Sequence, residues 1–234
     1  MKIMTFNTQH CQSFISREID YEIMAKTIRD ANADIVGLNE MRDTLEHFSY
    51  DKQTEKLSTL TKLYNNCFAK AIEVHTDMHY AYGNGFISKD NILSCETTLI
   101  ALPKEQQTSQ YYETRSLMKA KLECGLTVIV THFGLTRQEQ ELAVKTVLEN
   151  LEDERCVLMG DFNLRPDSEL LLPIRERMKD TESYAKSPSL TFPSDAPDRK
   201  IDYIFVSRDI EVVNAGAVNV IASDHLPYMA EILF

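Results

Sequence analysis

Tryptophan is absent from the 234 residues, glycine and proline number seven each, and no apolar run approaches the roughly 20 residues of a membrane-spanning helix. With no repeat, low-complexity tract or Gly/Ser linker, the chain reads as one domain spanning 1–234. Cysteine is scarce and odd in number: Cys11, Cys67, Cys95, Cys124 and Cys156 include no C-x-x-C pair. Neither a zinc-type spacing nor an even disulfide framework is present, so the five read as reduced core thiols of a cytosolic protein. Positive charge is in deficit, 25 Lys+Arg against 36 Asp+Glu, a net of −11. That balance argues against tight, sequence-indifferent binding to duplex DNA and leaves room only for a local basic groove. The opening Met-Lys-Ile-Met-Thr-Phe-Asn runs into Thr8-Gln9-His10 too soon for the apolar region of a signal peptide, and the expected location is the cytoplasm. What the chain does have is ordinary packing material, 43% apolar and 26% charged residues, which excludes disorder as its dominant state. A chain this long buries roughly 70% of its unfolded surface and needs no disulfide or structural metal to fold.

A short apolar run over 2–6 predicts a buried strand. Ile19, Ile23, Thr27 and Ala31 then recur at four-residue steps, with Asp20 and Glu22 in the first turn, and predict a helix. Asp34-Ile35-Val36-Gly37-Leu38 follows as a second apolar strand. Strand, helix, strand predicts a parallel pair with a right-handed crossover, placing Asn7 and Glu40 just beyond the C-terminal ends of neighbouring strands. Further strands are expected at 64–72, 82–88, 92–101, 116–123 and 126–131, with turn signals at Gly83-Asn84-Gly85 and a hairpin at Glu123-Cys124-Gly125-Leu126. A helical period covers 137–151, a strand 156–159, a helix lies near 168–178, and strands return at 201–206, 211–220 and 227–233 after a Pro/Ser-rich loop at 187–198. Strands outnumber helices and mix both kinds of connection. The expectation is an α/β protein with two mixed β-sheets face to face, flanked by helices.

Several strands stop at residues that a sheet core does not choose. Asn7 follows Phe6, Glu40 follows Leu38-Asn39, His132 follows Val130-Thr131, and Asp161-Phe162-Asn163 follows Met159-Gly160. Asp202 follows Ile201, and Asp224-His225 precedes Leu226-Pro227. Singly, each is an ordinary turn or cap residue. Together they bring carboxylates, amides and two of only six histidines to one rim of the sheets. Carboxylates suit a hard divalent cation such as Mg²⁺; a histidine beside a carboxylate supplies an oriented base; neutral amides hold phosphoryl oxygens without adding negative charge. No cysteine or histidine cluster suggests a zinc site, and the phosphate loop G-x-x-x-x-G-K-[ST], the dinucleotide pattern G-x-G-x-x-G and the nucleophile elbow G-x-S-x-G are missing.

The order of these segments resembles the endonuclease/exonuclease/phosphatase superfamily. The resemblance is carried by Met4-Thr5-Phe6-Asn7, Ile35-Val36-Gly37-Leu38-Asn39-Glu40, Tyr82-Gly83-Asn84-Gly85-Phe86-Ile87-Ser88, Thr131-His132-Phe133, Gly160-Asp161-Phe162-Asn163, Lys200-Ile201-Asp202-Tyr203-Ile204 and Ser223-Asp224-His225-Leu226-Pro227. It implies a four-layer α/β sandwich and hydrolysis of a phosphate ester with Mg²⁺ or Mn²⁺. It also implies roles: Glu40 as principal metal ligand with Asn7 beside it and Asp224 near the metal, and His225 as the catalytic histidine oriented by Asp202. Asp161 resembles the residue that positions or deprotonates the attacking water, and Asn163 and His132 the groups that bind the phosphate. Where many members carry an acidic or histidine side chain two residues after the first Asn, this chain has the uncharged Gln9, which bears on a second metal.

Weaker candidates surround these. Tyr82 and Asn84 lie in a segment whose Asn-Gly step is primarily turn chemistry. Arg115 is read as solvated or core-bracing rather than phosphate-binding. His75 and His79 flank Asp77 in a region read as surface loop without other ligand donors, and Arg199 and Lys200 are expected to lean toward the site. The loop around Phe192 is of the kind that shapes substrate choice. The rim loops 43–55, 73–80, 104–113 and 187–198 carry as many acids as bases or more, which favours a small or lipid phosphate ester over a DNA repair endonuclease reading. A catalytically dead binding module on the same scaffold is the reading from another class.

Overall fold

The computed structural model describes residues 1–234. In chain order the elements are Lys2–Asn7 (β1), Tyr21–Ala31 (α1), Ile35–Asp43 (β2), Gln53–Thr61 (α2), Asn65–His75 (β3) and His79–Ser88 (β4). Ile92–Ile100 (β5), Arg115–Leu122 (β6), Thr127–His132 (β7), Arg137–Asn150 (α3) and Cys156–Asp161 (β8) follow. Leu172–Arg177 (α4), Lys179–Asp180 (β9), Asp202–Val206 (β10), Glu211–Ala217 (β11) and Tyr228–Leu233 (β12) complete the chain. They form two six-stranded sheets, β11-β12-β1-β2-β4-β3 and β5-β6-β7-β8-β10-β9. Each sheet holds a single parallel pair near its middle, β1 with β2 and β7 with β8, and its other pairs are antiparallel.

Three apolar seams define four layers. Ile3, Ile35 and Phe86 of the first sheet meet Met118, Val130, Val157, Met159 and Ile204 of the second in the central seam. On the outer face of the first sheet, Met4, Val36 and Leu38 pack on Met24 and Ile28 of α1 and Leu57 of α2. On the outer face of the second, Leu117, Ile129 and Leu158 pack on Ala143 and Val147 of α3 and Ile174 of α4. Because strand side chains alternate, Ile3 and Met4 serve different seams, and the central strands read as continuous apolar runs. The helices are set locally: the Asp20 carboxylate accepts from the amides of Glu22 and Ile23 at the start of α1. Thr136 and Glu139 form a reciprocal capping box on α3.

Several sequence expectations shift. Helix α2 begins at the end of the rim loop read over 43–55 and runs through a stretch for which the sequence suggests no element, since only Leu57 and a few small polar residues face inward and the apolar period is too sparse to see. Gly83-Asn84-Gly85 is not a turn but the interior of β4; a Cβ on Gly83 would stand 2.0 Å from the Ala69 carbonyl, so glycine there serves close backbone approach. The helix near 168–178 is a 3₁₀ turn, Glu169–Leu171, followed by α4; β11 ends at Ala217; and the two-residue β9 carries too little pattern to be read. Of the cysteines, Cys11 and Cys156 are buried, Cys95 is exposed and Cys67 and Cys124 are intermediate; all five are free, with the Cys67 and Cys95 sulfurs 2.6 Å apart on facing edge strands. No helix is long and apolar enough to cross a membrane.

Candidate active site

Both parallel pairs end at the same rim, and their last residues face each other across the central seam. Asn7 is the last residue of β1 and pairs in register with Asn39; His132 ends β7 and pairs with Asp161 at the end of β8. Glu40 is not beyond its strand, as expected, but inside β2 at an irregularity between Leu38 and Met41, with φ +61. A bulge of this kind turns the carboxylate inward from a strand that continues to Asp43. Asn163 also lies in the left-handed region, φ +50, and Gly160 has φ +148, where a Cβ would come within 1.8 Å of the Thr131 carbonyl. Non-glycine residues held there cost about 1–3 kcal/mol each and concentrate at functional sites.

Asp161 is the hub. Its Oδ2 accepts from Asn7 Nδ2 at 3.1 Å and lies 3.5 Å from His132 Nε2 and 3.6 Å from His225 Nε2. Its Oδ1 accepts from the Asn163 amide at 2.9 Å. Asn7 Nδ2 also donates to Glu40 Oε1 at 3.1 Å, joining the two sheets. His225 Nδ1 meets Asp202 Oδ2 at 2.9 Å, and both side chains are buried. Asp224 sits at the edge, accepting from the Ser223 hydroxyl at 3.0 Å. All eight residues proposed from sequence therefore stand at one rim, and the ligand atoms of Asp161, Asp202 and His225 lie within 4.8 Å of one another.

His132 is held differently from His225. Arg115 Nη1 stands 2.9 Å from His132 Nδ1, and a guanidinium only donates, so Nδ1 accepts and the ring hydrogen resides on Nε2. Asn163 Nδ2 donates to the Phe133 carbonyl at 3.0 Å and approaches His132 Nε2 at 3.3 Å. Two donors thus lie side by side, an arrangement that accepts an anionic oxygen. The capping reading of Asn163 fails because no helix begins after it; Phe162 turns into the core against Phe133 and Tyr203.

Burial pushes the Asp161 carboxyl up to about 7, with Asp202 adding to the rise and His225 opposing it. Burial also acts against the charge of His225, but the carboxylates of Asp202 and Asp161 outweigh it and raise the imidazole to about 10. His132 is driven well below its ordinary value by burial, then by Arg115 and His225. The two histidines are thereby split into one cation and one neutral donor. Burial, reinforced by Asp224, raises Glu40.

Other residues acquire structural roles invisible in the sequence. Asn39 Nδ2 donates to Asn84 Oδ1 at 2.8 Å and to the Thr131 carbonyl at 2.9 Å, and its Oδ1 accepts from the Asp161 amide at 3.0 Å. Asn84 Nδ2 donates to the Ser116 carbonyl at 2.8 Å, so the two amides clamp the sheets beneath the rim. Arg115 is mostly shielded from solvent, paired with Glu113 at 2.7 Å and near the Tyr82 hydroxyl at 3.4 Å. The loop 187–198 is stitched down: Leu226 donates to the Thr191 carbonyl at 2.7 Å, Ser194 to the Asp224 carbonyl at 2.7 Å, and Phe192 packs on His225 with centroids 4.7 Å apart. Lys200 does not lean toward the site; its Nζ donates to the Asp202 carbonyl at 2.8 Å, and Arg199 pairs with Asp198. The Gln9 backbone N–H donates to Asn7 Oδ1 at 3.1 Å, and its side-chain Oε1 is buried without a partner.

The donor set fits a hard cation. Glu40, Asp161, Asp202 and Asp224 bring four carboxylates against the cations His225 and Arg115, and Asp202 Oδ1 is buried with no hydrogen-bond partner. Oxygen-rich, negatively unbalanced rims of this kind suit Mg²⁺ or Mn²⁺. The sequence matches the Endonuclease/Exonuclease/phosphatase family over residues 4–225, and the chain belongs to that family. Its members are hydrolases of phosphate esters, generally dependent on divalent metal. No curated protein matches the chain. Among solved structures, an endonuclease/exonuclease/phosphatase from Beutenbergia cavernae DSM 12333 is similar at 22% identity and TM-score 0.79, covering 99% of this chain and 71% of that one. A family protein from Leptotrichia buccalis C-1013-b aligns at 19% identity and TM-score 0.77, over the whole of both chains (100% and 100%). A mannosyl-6-phosphatase from Bacteroides thetaiotaomicron VPI-5482 aligns at 15% identity and TM-score 0.77, again covering 100% of each. These likenesses establish the four-layer sandwich.

Proposed function

We propose that the chain hydrolyses a phosphate ester by in-line attack of water, with Mg²⁺ or Mn²⁺ held by Glu40 and Asn7 and with Asp224 close by. The observation that carries this reading is the convergence on Asp161 Oδ2 of Asn7, His132 and His225 from both sheets. A bound divalent ion would supply positive charge to the phosphoryl oxygens and the leaving oxygen. Asp161, raised toward neutrality, is poised to hold the attacking water and take its proton. His225, kept cationic by Asp202, balances charge on the reacting group. His132 Nε2–H and Asn163 Nδ2–H donate to a phosphoryl oxygen that gains charge in the transition state.

The net charge of −11 and the acid-balanced rim loops favour a small or lipid phosphate ester over duplex DNA. A sugar phosphate, an inositol phosphate, sphingomyelin, aryl mono- and diesters and abasic-site DNA, assayed with Mg²⁺ and Mn²⁺, form the deciding panel. Turnover of at least one small ester, lost with chelator and reduced about 10²-fold or more in Glu40→Gln, is the expected result. Turnover confined to abasic DNA would replace the small-ester reading with the repair-nuclease one, and no metal-dependent turnover of any ester would end both.

A further inference from the structure

The β3–β4 hairpin ends in a pair of histidines that the rim site does not use. His75 and His79 are register partners on opposite strands, joined by a tight turn in which Thr76 donates to the Met78 carbonyl at 3.2 Å. The turn folds what reads in sequence as an isolated loop so that the two Nδ1 atoms face each other at 3.3 Å. Two imidazoles bound to one tetrahedral ion at about 2.0–2.1 Å place their nitrogens about 3.3–3.4 Å apart, so the pair already has the bite of such a site. Without metal, one shared hydrogen bridges the same gap.

The surroundings orient both rings. Glu73 Oε2 lies 3.5 Å from His75 Nε2, and Lys70 Nζ holds the other carboxylate oxygen at 2.6 Å. A carboxylate on the far nitrogen keeps the hydrogen there and leaves Nδ1 with its lone pair, the usual arrangement behind a metal-bound histidine. Phe48 lies nearly flat on His79, centroids 4.1 Å apart and planes inclined by 18°, and is itself fixed by paired backbone bonds with Leu45. The hairpin tip projects just past the Asp43–Ala81 pairing that ends β2, at the same rim as Glu40.

We propose that His75 and His79 form a bidentate Nδ1,Nδ1 site for a borderline divalent transition ion such as Zn²⁺, sharing no ligand with the oxygen-rich cluster around Asp161. Imidazole nitrogens select ions of that class, whereas carboxylates and amides favour Mg²⁺ and Mn²⁺, so the two sites are told apart by the metal they take. With two protein ligands the site keeps open positions for water, as a closed structural zinc site does not. It stands independently of the phosphoesterase reading.

Titration calorimetry with Zn²⁺ tests it, on the whole chain with Mg²⁺ in large excess and in a Cys67→Ser, Cys95→Ser background that removes the paired thiols at the far end of β3 as a competing Zn²⁺ site. One equivalent is expected to bind, with loss of at least tenfold in affinity in His75→Ala and in His79→Ala, and about tenfold in Glu73→Gln. All three positions are exposed or half-buried, so melting temperatures should match the parent in the absence of Zn²⁺. Long-range ¹⁵N correlation spectra of the imidazoles should show both Nδ1 resonances, and not the Nε2 ones, moving with Zn²⁺. Absence of binding in the parent, equal binding in the alanine variants, or a response at Nε2 instead would each overturn the proposal.

Discussion

His225 and His132 are the same side chain in one rim, given opposite protonation by their partners. Asp202 and Asp161 hold His225 up to about 10, and Arg115 with burial holds His132 far down. Because His225 binds its proton more tightly folded than unfolded, its contribution to stability is full below about pH 6.5 and lost as pH rises through about 10. Asp161, also raised, to about 7 from 3.8, acts in the same direction over a lower window. Melting curves of the metal-free protein should therefore fall by several degrees from pH 6.5 to 10, and Asp202→Asn should flatten that slope. An unchanged slope would mean that Asp202 does not sustain the charge. Arg115→Lys tests the neutral histidine. One guanidinium nitrogen, Nη1, meets His132 Nδ1, Glu113 and Tyr82, and a lysine, with a shorter reach and no planar group to fix its ammonium, does not hold a nitrogen at that point, so kcat should fall tenfold or more. A variant that melts lower while retaining its kcat would reduce Arg115 to core bracing.

Elements differ in whether their hydrogen bonds reach the rim. Thr136 caps α3 four residues after His132, but its side chain bonds only to Glu139 of its own helix, and Thr136→Ala should cost about 1 kcal/mol, a few degrees of melting temperature, with kcat intact. Ser194 Oγ donates to the Ser223 carbonyl at 2.6 Å and its amide to the Asp224 carbonyl, tying loop 187–198 to the segment that carries His225. Ser194→Ala should cost a similar stability, yet lower kcat severalfold because it loosens Asp224 and His225. Thermal melts and steady-state rates on both variants make the comparison. Asn39 is the steeper case: replacing it with Ala leaves the Asp161 amide and the Thr131 carbonyl without their partners in a buried setting, a loss of about 2–3 kcal/mol.

At the scale of the molecule, a net charge of −11 surrounds a rim proposed to take an anion, with the local cations buried His225 and largely shielded Arg115 within it. Binding that depended on many phosphate contacts would weaken about 10³-fold or more between 50 and 200 mM salt. A single phosphate ester engages one or two contacts, so kcat/KM on the preferred small ester should change by less than about tenfold over that range. A steep salt slope would instead signal a polyanionic substrate reaching a basic surface.

The layers were legible because they depend on period: apolar runs over 2–6, 34–38, 126–131 and 156–159 became β1, β2, β7 and β8, and the strand-helix-strand start became the parallel pair. The chain order of the polar strand ends also sufficed to list the residues that meet at the rim. What the sequence did not reveal rests on contacts between residues far apart in it. The interior position of Gly83-Asn84-Gly85 depends on the Ala69 backbone of β3, the Asn39–Asn84 clamp on carbonyls of the opposite sheet, and the protonation of His132 on Arg115. Helix α2 is held by packing on β2 and β3 rather than by its own apolar period, and the facing of His75 and His79 is made by the hairpin register. Local pattern decides which faces are buried, since that is a matter of period along one strand or helix. Which charges meet is decided only when two sheets close on each other and remove water from between them.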